Sequence, residues 1–177
     1  MSFTKSSVDC YSIRPEENER HRCLWALVYV DSNTWTLSAS SDCGDYSYRW
    51  GYEDGRTFKQ FLTTLDKSYF LSKISDRTEI DEKESIIRMK EFCINMYRKG
   101  SINKQEAREQ FDHIKDIENG YYDDDFEHAV YENLDYDDYN DLVVHKYPVG
   151  AIAFYEVIFK ELQKILKDEI NQGSEVV

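Results

Sequence analysis

The sequence predicts an α+β fold: an N-terminal antiparallel three-stranded meander packed by about five helices, the last of them long. Three observations predict it. Between residues 23 and 52, runs of β-branched and aromatic residues alternate with short turn signals. From residue 57 onward, apolar residues recur every three or four positions, the period of amphipathic helices. Near the C-terminus, Ile152, Tyr155, Phe159, Leu162, Leu166 and Ile170 form one continuous helical stripe.

Residues 1–22 are polar and lack a period, so they read as an arm preceding a single domain over 23–177. "CLWALVYVDSNTWTLSASS" supplies two strands around a tight turn at Asp31-Ser32-Asn33. The first run is apolar nearly throughout, the pattern of a strand covered on both faces. In the second, Trp35, Leu37 and Ala39 alternate with Thr34, Thr36 and Ser38, the pattern of a half-buried strand. "SDCGD" is a turn, and "YSYRWGY" is the third strand.

Thr57 then caps a helix carrying Phe58, Phe61, Leu62 and Leu65. "KSYFLSKIS" gives a second. A longer helix runs from about Asp81 to Lys99 and ends at Gly100. Asn103 and Glu106 have the spacing of a capping box for "KQEAREQFDHIKDIE", which Asn119-Gly120 closes. Pro148 precedes the C-terminal helix, where proline is tolerated.

Composition narrows the function classes. A chain of 177 residues with 41% hydrophobic and 15% aromatic residues can bury a real core. No apolar run reaches the ~18 residues of a membrane span, and no apolar h-region marks a secretory signal. Cys10, Cys23, Cys43 and Cys93 form no C-x-x-C pair, which predicts reduced thiols in a cytosol rather than a zinc site. Serine nucleophile elbows, glycine-rich phosphate loops and dinucleotide fingerprints are absent. Asp81-Glu82-Lys83 has the form of a nuclease D/E-x-K element, but it opens a predicted helix, where acids favour the dipole. His128 and Glu132 share a helix face without the second histidine of a zinc-protease motif. Neither catalytic residues nor a cofactor are expected.

The net charge of −13 is concentrated. Residues 116–145 hold 11 acids and no lysine or arginine, whereas the segments on either side are each within one charge of balance. Such a surface repels phosphates, so direct nucleic-acid binding is not expected, and it attracts basic partners. Within it, Phe126, Ala129, Val130 and Leu134 make one apolar stripe, and Leu142, Val143 and Val144 a second anchor. The segment therefore reads as a docked helix rather than a tail.

Three readings of its carboxylates stay open: a solvated face serving solubility, an irregular metal site of a nucleotide or nucleic-acid enzyme, or a mimic of nucleic acid. The glycine and closing glutamate of a calcium-binding loop fail at both possible starts, Asp123 and Asp135. For mimicry, 11 carboxylates over at most ~45 Å of helix average about one per 4 Å. That approaches one DNA strand at ~3.4 Å per phosphate, and a homodimer aligning two segments would come closer to a duplex. The candidate partner-binding acids are Asp123, Asp124, Asp125, Glu127, Glu132, Asp135, Asp137, Asp138 and Asp141. Tyr122, Tyr131, Tyr136 and Tyr139 add flat faces on which a partner's arginines could stack.

"GDYSYRWG", then "FKQFLTTLDKSYFLSKIS" and "KQEAREQFDHI", resemble a group of small, mostly uncharacterised phage and prophage proteins. The resemblance covers roughly residues 25–115 and, more loosely, the C-terminal helix, carried by Gly44, Tyr46, Tyr48, Trp50 and Gly51 with the Phe-Leu helices. It leaves the acidic block outside. It implies a phage accessory protein in the host bacterial cytoplasm, a setting rich in inhibitors of host defence such as anti-CRISPR proteins. With the acidic surface, it leads to an expected partner: a host protein or ribonucleoprotein with a basic nucleic-acid groove.

Overall fold

A computed structural model describes residues 7–15, 23–51, 55–121, 125–134 and 139–174. The chain divides into two compact units: residues 1–77 with 147–177, and residues 78–146, inserted between them in sequence.

The first unit is built on an antiparallel sheet of four strands, β1 (Asp9–Ile13), β2 (Ala26–Asp31), β3 (Thr36–Ser41) and β4 (Gly44–Arg49), in that order. This corrects the three-stranded expectation: the extra strand comes from the segment read as a polar arm. β1 buries only Ile13, so it has no apolar period to detect. Its full register against β2, from Asp9↔Val30 to Ile13↔Ala26, is a backbone ladder that composition does not encode.

β2 also differs from expectation. Ala26, Val28 and Val30 are buried, but Tyr29 is 39% exposed, so one face is covered and the other open. Leu37 and Ala39 of β3 continue the buried face, as the alternation predicts. Trp35 ends the β2–β3 turn in a left-handed conformation (φ 56°), rare for a bulky residue. Its ring is buried against Phe58 and Phe61 at 5.3 and 5.5 Å.

Helices cover the buried face. α1 (Phe58–Leu62) starts at Thr57 with the reciprocal Thr57–Gln60 capping box, and α2 (Lys67–Ile74) starts at Asp66, which accepts the Tyr69 amide. From Pro148 the chain runs without a break through α6 (Val149–Ala153), a π-helical stretch (Phe154–Phe159) and α7 (Lys160–Ser174). The π stretch widens the turn and buries Phe154, Tyr155, Val157, Ile158 and Phe159, leaving Glu156 to pair with Lys67 and Lys160. Gln163 donates to the carbonyls of Leu62 and Leu65, tying this long helix to the end of α1.

Cys23 and Cys43 are joined in a disulfide, which corrects the expectation of four reduced thiols. Strand pairing places Ala26 opposite Ser41, so cysteines just outside that pair meet with their Cα atoms 5.2 Å apart. Cys10 and Cys93 are free thiols.

The second unit is a helical hairpin with a returning segment. The two-residue strands β5 (Glu79–Ile80) and β6 (His145–Lys146) pair where it begins and ends. α3 (Glu82–Lys99) begins at Asp81 and ends at left-handed Gly100, and α4 (Lys104–Glu118) begins with the Asn103–Glu106 capping box. α5 (Phe126–Asn133) and a single 3-10 turn (Asn140–Leu142) complete the return.

Candidate interaction surface

The returning segment is where the acidic residues lie. Asp125 caps α5 by accepting the His128 amide at 3.0 Å. The predicted stripe faces inward: Ala129, Val130 and Leu134 are buried, and Phe126 packs against the same core as Ile86, Met89, Ile114 and Ile117. His113 Nδ1 lies 2.8 Å from the Asn133 carbonyl, which fixes the last turn of α5 to α4. Further on, the Val144 amide donates to Ser85 Oγ at 2.8 Å.

Tyr139 corrects an expectation. The sequence offers it for stacking on a partner, yet it is only 1% exposed. Its hydroxyl donates to Gln110 Oε1 at 3.0 Å, and its ring meets Phe92 edge-on at 5.3 Å. A phenol flanked in sequence by Asp137, Asp138, Asn140 and Asp141 carries no periodic signal of burial. The signal that could have found it is its place three residues before Leu142, which packs against the same core.

Of the remaining candidates, Asp125, Glu127, Glu132, Asp141 and Tyr131 are exposed on this scaffold. Glu127 approaches His145 Nε2 at 3.4 Å, across the surface rather than into the core. Tyr122, Asp123, Asp124, Asp135, Tyr136, Asp137 and Asp138 lie outside the described residues. The docked segment thus turns four of the nine candidate acids outward from a fixed base.

Among the described residues, one group has donor atoms close enough for a metal: Cys23, Asp42 and Cys43, within 4.8 Å of one another. Its donors are already engaged. The two sulfurs are bonded to each other, and the Asp42 carboxylate accepts the amides of Leu24 and Trp25 at 2.9 and 3.2 Å. The acidic segment contributes no such group among its described residues.

The hairpin carries a second feature that sequence reasoning missed. A groove of about 450 Å³ runs between α3 and α4, lined by Ile94, Tyr97 and Phe111 and by Arg98, Lys104, Arg108 and Lys115, with Asp112 the one acid in its lining. Lys115 sits over the Phe111 ring at 5.3 Å, and the Cys93 thiol, its pKa pushed up by burial, reaches the Ala107 carbonyl. A basic groove is hidden in the sequence because its cations are split between two helices, and α4, which supplies most of them, has more acids than bases.

Comparison with known proteins bears on the origin of the chain. A phage family (Phage_phiTE_072) matches residues 1–168. The chain belongs to this phage family. The match spans both units and includes the acidic segment, which the resemblance read from the sequence leaves outside. No curated protein and no solved structure matches the chain. No helix among the described residues is long and apolar enough to cross a membrane.

Proposed function

We propose that this phage protein acts by binding, as an anti-CRISPR-like inhibitor of a host nucleic-acid-binding defence complex. Its acidic surface would occupy a basic groove that otherwise holds DNA or RNA. One observation carries the reading: α5 is docked by its apolar stripe, while Asp125, Glu127 and Glu132, with Asp141 of the 3-10 turn, face outward. Carboxylates held on a fixed base lose less freedom on binding than carboxylates on a tail. Clustered negative charge also speeds encounter with a basic partner.

The test is a pull-down from host lysate with the intact chain and a charge-reversed variant, Asp125→Lys with Glu127→Lys, Glu132→Lys and Asp141→Lys. The expected result is a salt-sensitive, nucleic-acid-binding protein captured by the native chain and lost by the variant. Equal capture by both, with unchanged inhibition, would sink the reading. Thermal melts of the variant check that its fold survives.

A further inference from the structure

We propose that the α3–α4 groove receives the acidic face of α5 from a second copy of this chain, in a reciprocal two-fold pairing. The groove is lined by the apolar Ile94, Tyr97 and Phe111 and by four cations, Arg98, Lys104, Arg108 and Lys115, against one acid, Asp112. Arg98, Lys104 and Arg108 have no carboxylate partner among the described residues, on a chain whose acids outnumber its bases by 35 to 22. Elsewhere on the same hairpin, Arg88 and Lys90 are paired with Glu84 and Glu118. Ile94 and Tyr97 remain 40% and 48% exposed, so the apolar part of the lining is open.

An occupant must therefore bring acids flanking an aromatic or aliphatic anchor. The chain holds such an element: Tyr131, 55% exposed on α5, lies between Glu127 and Glu132, both exposed. A chain cannot fill its own groove with it. At ~100° per residue, Gln110 and His113, which meet the returning segment, point to a different side of α4 from Lys104, Arg108 and Phe111. The described residues of the acidic segment meet α4 at Gln110 and His113, away from the groove cations Lys104 and Arg108. A second copy satisfies both surfaces at once, and a two-fold exchange closes without leaving an open end for filaments.

The pairing is independent of the host-binding reading, although a basic partner would compete with the second copy for Glu127 and Glu132. Sedimentation and light scattering on the intact chain test it. At low salt the mass should rise with concentration toward twice that of the monomer, and fall back in molar salt, where screening acts over about 3 Å. A groove variant, Lys104→Glu with Arg108→Glu, and a face variant, Glu127→Lys with Glu132→Lys, should each lose the heavier species.

Mixing the two variants should restore it. Each contact of the mixed dimer then joins opposite charges, one pair native and one swapped. Restoration also shows that both variants are folded. A chain that stays monomeric at every concentration in low salt overturns the proposal, as does a heavier species that persists in either variant or fails to return on mixing. Host capture with no self-association would leave the functional reading standing and remove this one alone.

Discussion

Gly150 has no room for a side chain. A β-carbon there would sit 2.4 Å from the Cys43 carbonyl oxygen, which also accepts the Tyr46 hydroxyl at 2.7 Å. Because the obstacle is backbone, Gly150→Ala should force the start of α6 away from the β3–β4 turn, costing about 1–3 kcal/mol. A urea midpoint unchanged from the native chain would refute that. The Cys23–Cys43 bond stabilises the same corner, at Cys43. Closing a loop between residues 20 apart, it should contribute about 3 kcal/mol, so reductant should lower the melting temperature of the native chain but not of a Cys23→Ser, Cys43→Ser variant. Reduction should leave the sheet in place, since the Asp42 carboxylate still holds the Leu24 and Trp25 amides.

At the scale of elements, β1 is joined to β2 by its backbone ladder and to α1 and α7 by charged side chains. Lys59 of α1 reaches Asp9 of β1 at 2.9 Å and Glu169 of α7 at 2.7 Å, and the Tyr11 hydroxyl donates to Glu169 at 3.0 Å. Burial pulls the Lys59 pKa down, but hydrogen bonds with Glu169, Tyr11 and Asp9 more than offset this and leave it above the usual lysine value. A lysine held more strongly as the cation stabilises the fold fully below its unfolded pKa near 10.5, and this contribution is lost as pH rises through the higher folded value. Lys59→Met should therefore cost about 1 kcal/mol at neutral pH and speed hydrogen exchange in β1, with the difference from the native chain shrinking only in strong alkali. A constant difference across that alkaline range would count against the assignment.

The same scale explains what the sequence made legible. The N-cap at Thr57, the capping box at Asn103, the stop at Gly100 and the α5 stripe are local patterns, and each appears where its spacing places it, with Gln60 completing a box at Thr57 that the sequence reading did not foresee. β1, the disulfide and the inward turn of Tyr139 depend on partners distant in sequence: β2, the Ala26↔Ser41 register and Gln110. Of the site, the outward acids of α5 follow from its stripe. The basic groove does not, because it exists only once α3 and α4 lie side by side.

For the whole molecule, charge is divided as unevenly as structure. Residues 78–146 contain 19 acids against nine lysines and arginines, so the inserted unit carries −10 of the total −13. Self-repulsion of this size destabilises a compact state and is relieved by salt. Raising salt from about 10 mM, with a screening length near 30 Å, to about 1 M, near 3 Å, should therefore stabilise α3, α4 and α5 more than the sheet. Hydrogen exchange followed residue by residue, at a concentration where the chain is monomeric, reads this directly: protection should rise in α4 and α5 and stay nearly level in β2 and β3. An equal rise in both units would mean that salt acts through general exclusion from the protein surface, and that the acids of the inserted unit are not under mutual strain. An increase confined to the inserted unit would place the cost of the acidic surface within the unit that displays it, so those acids are retained at the expense of that unit's own stability.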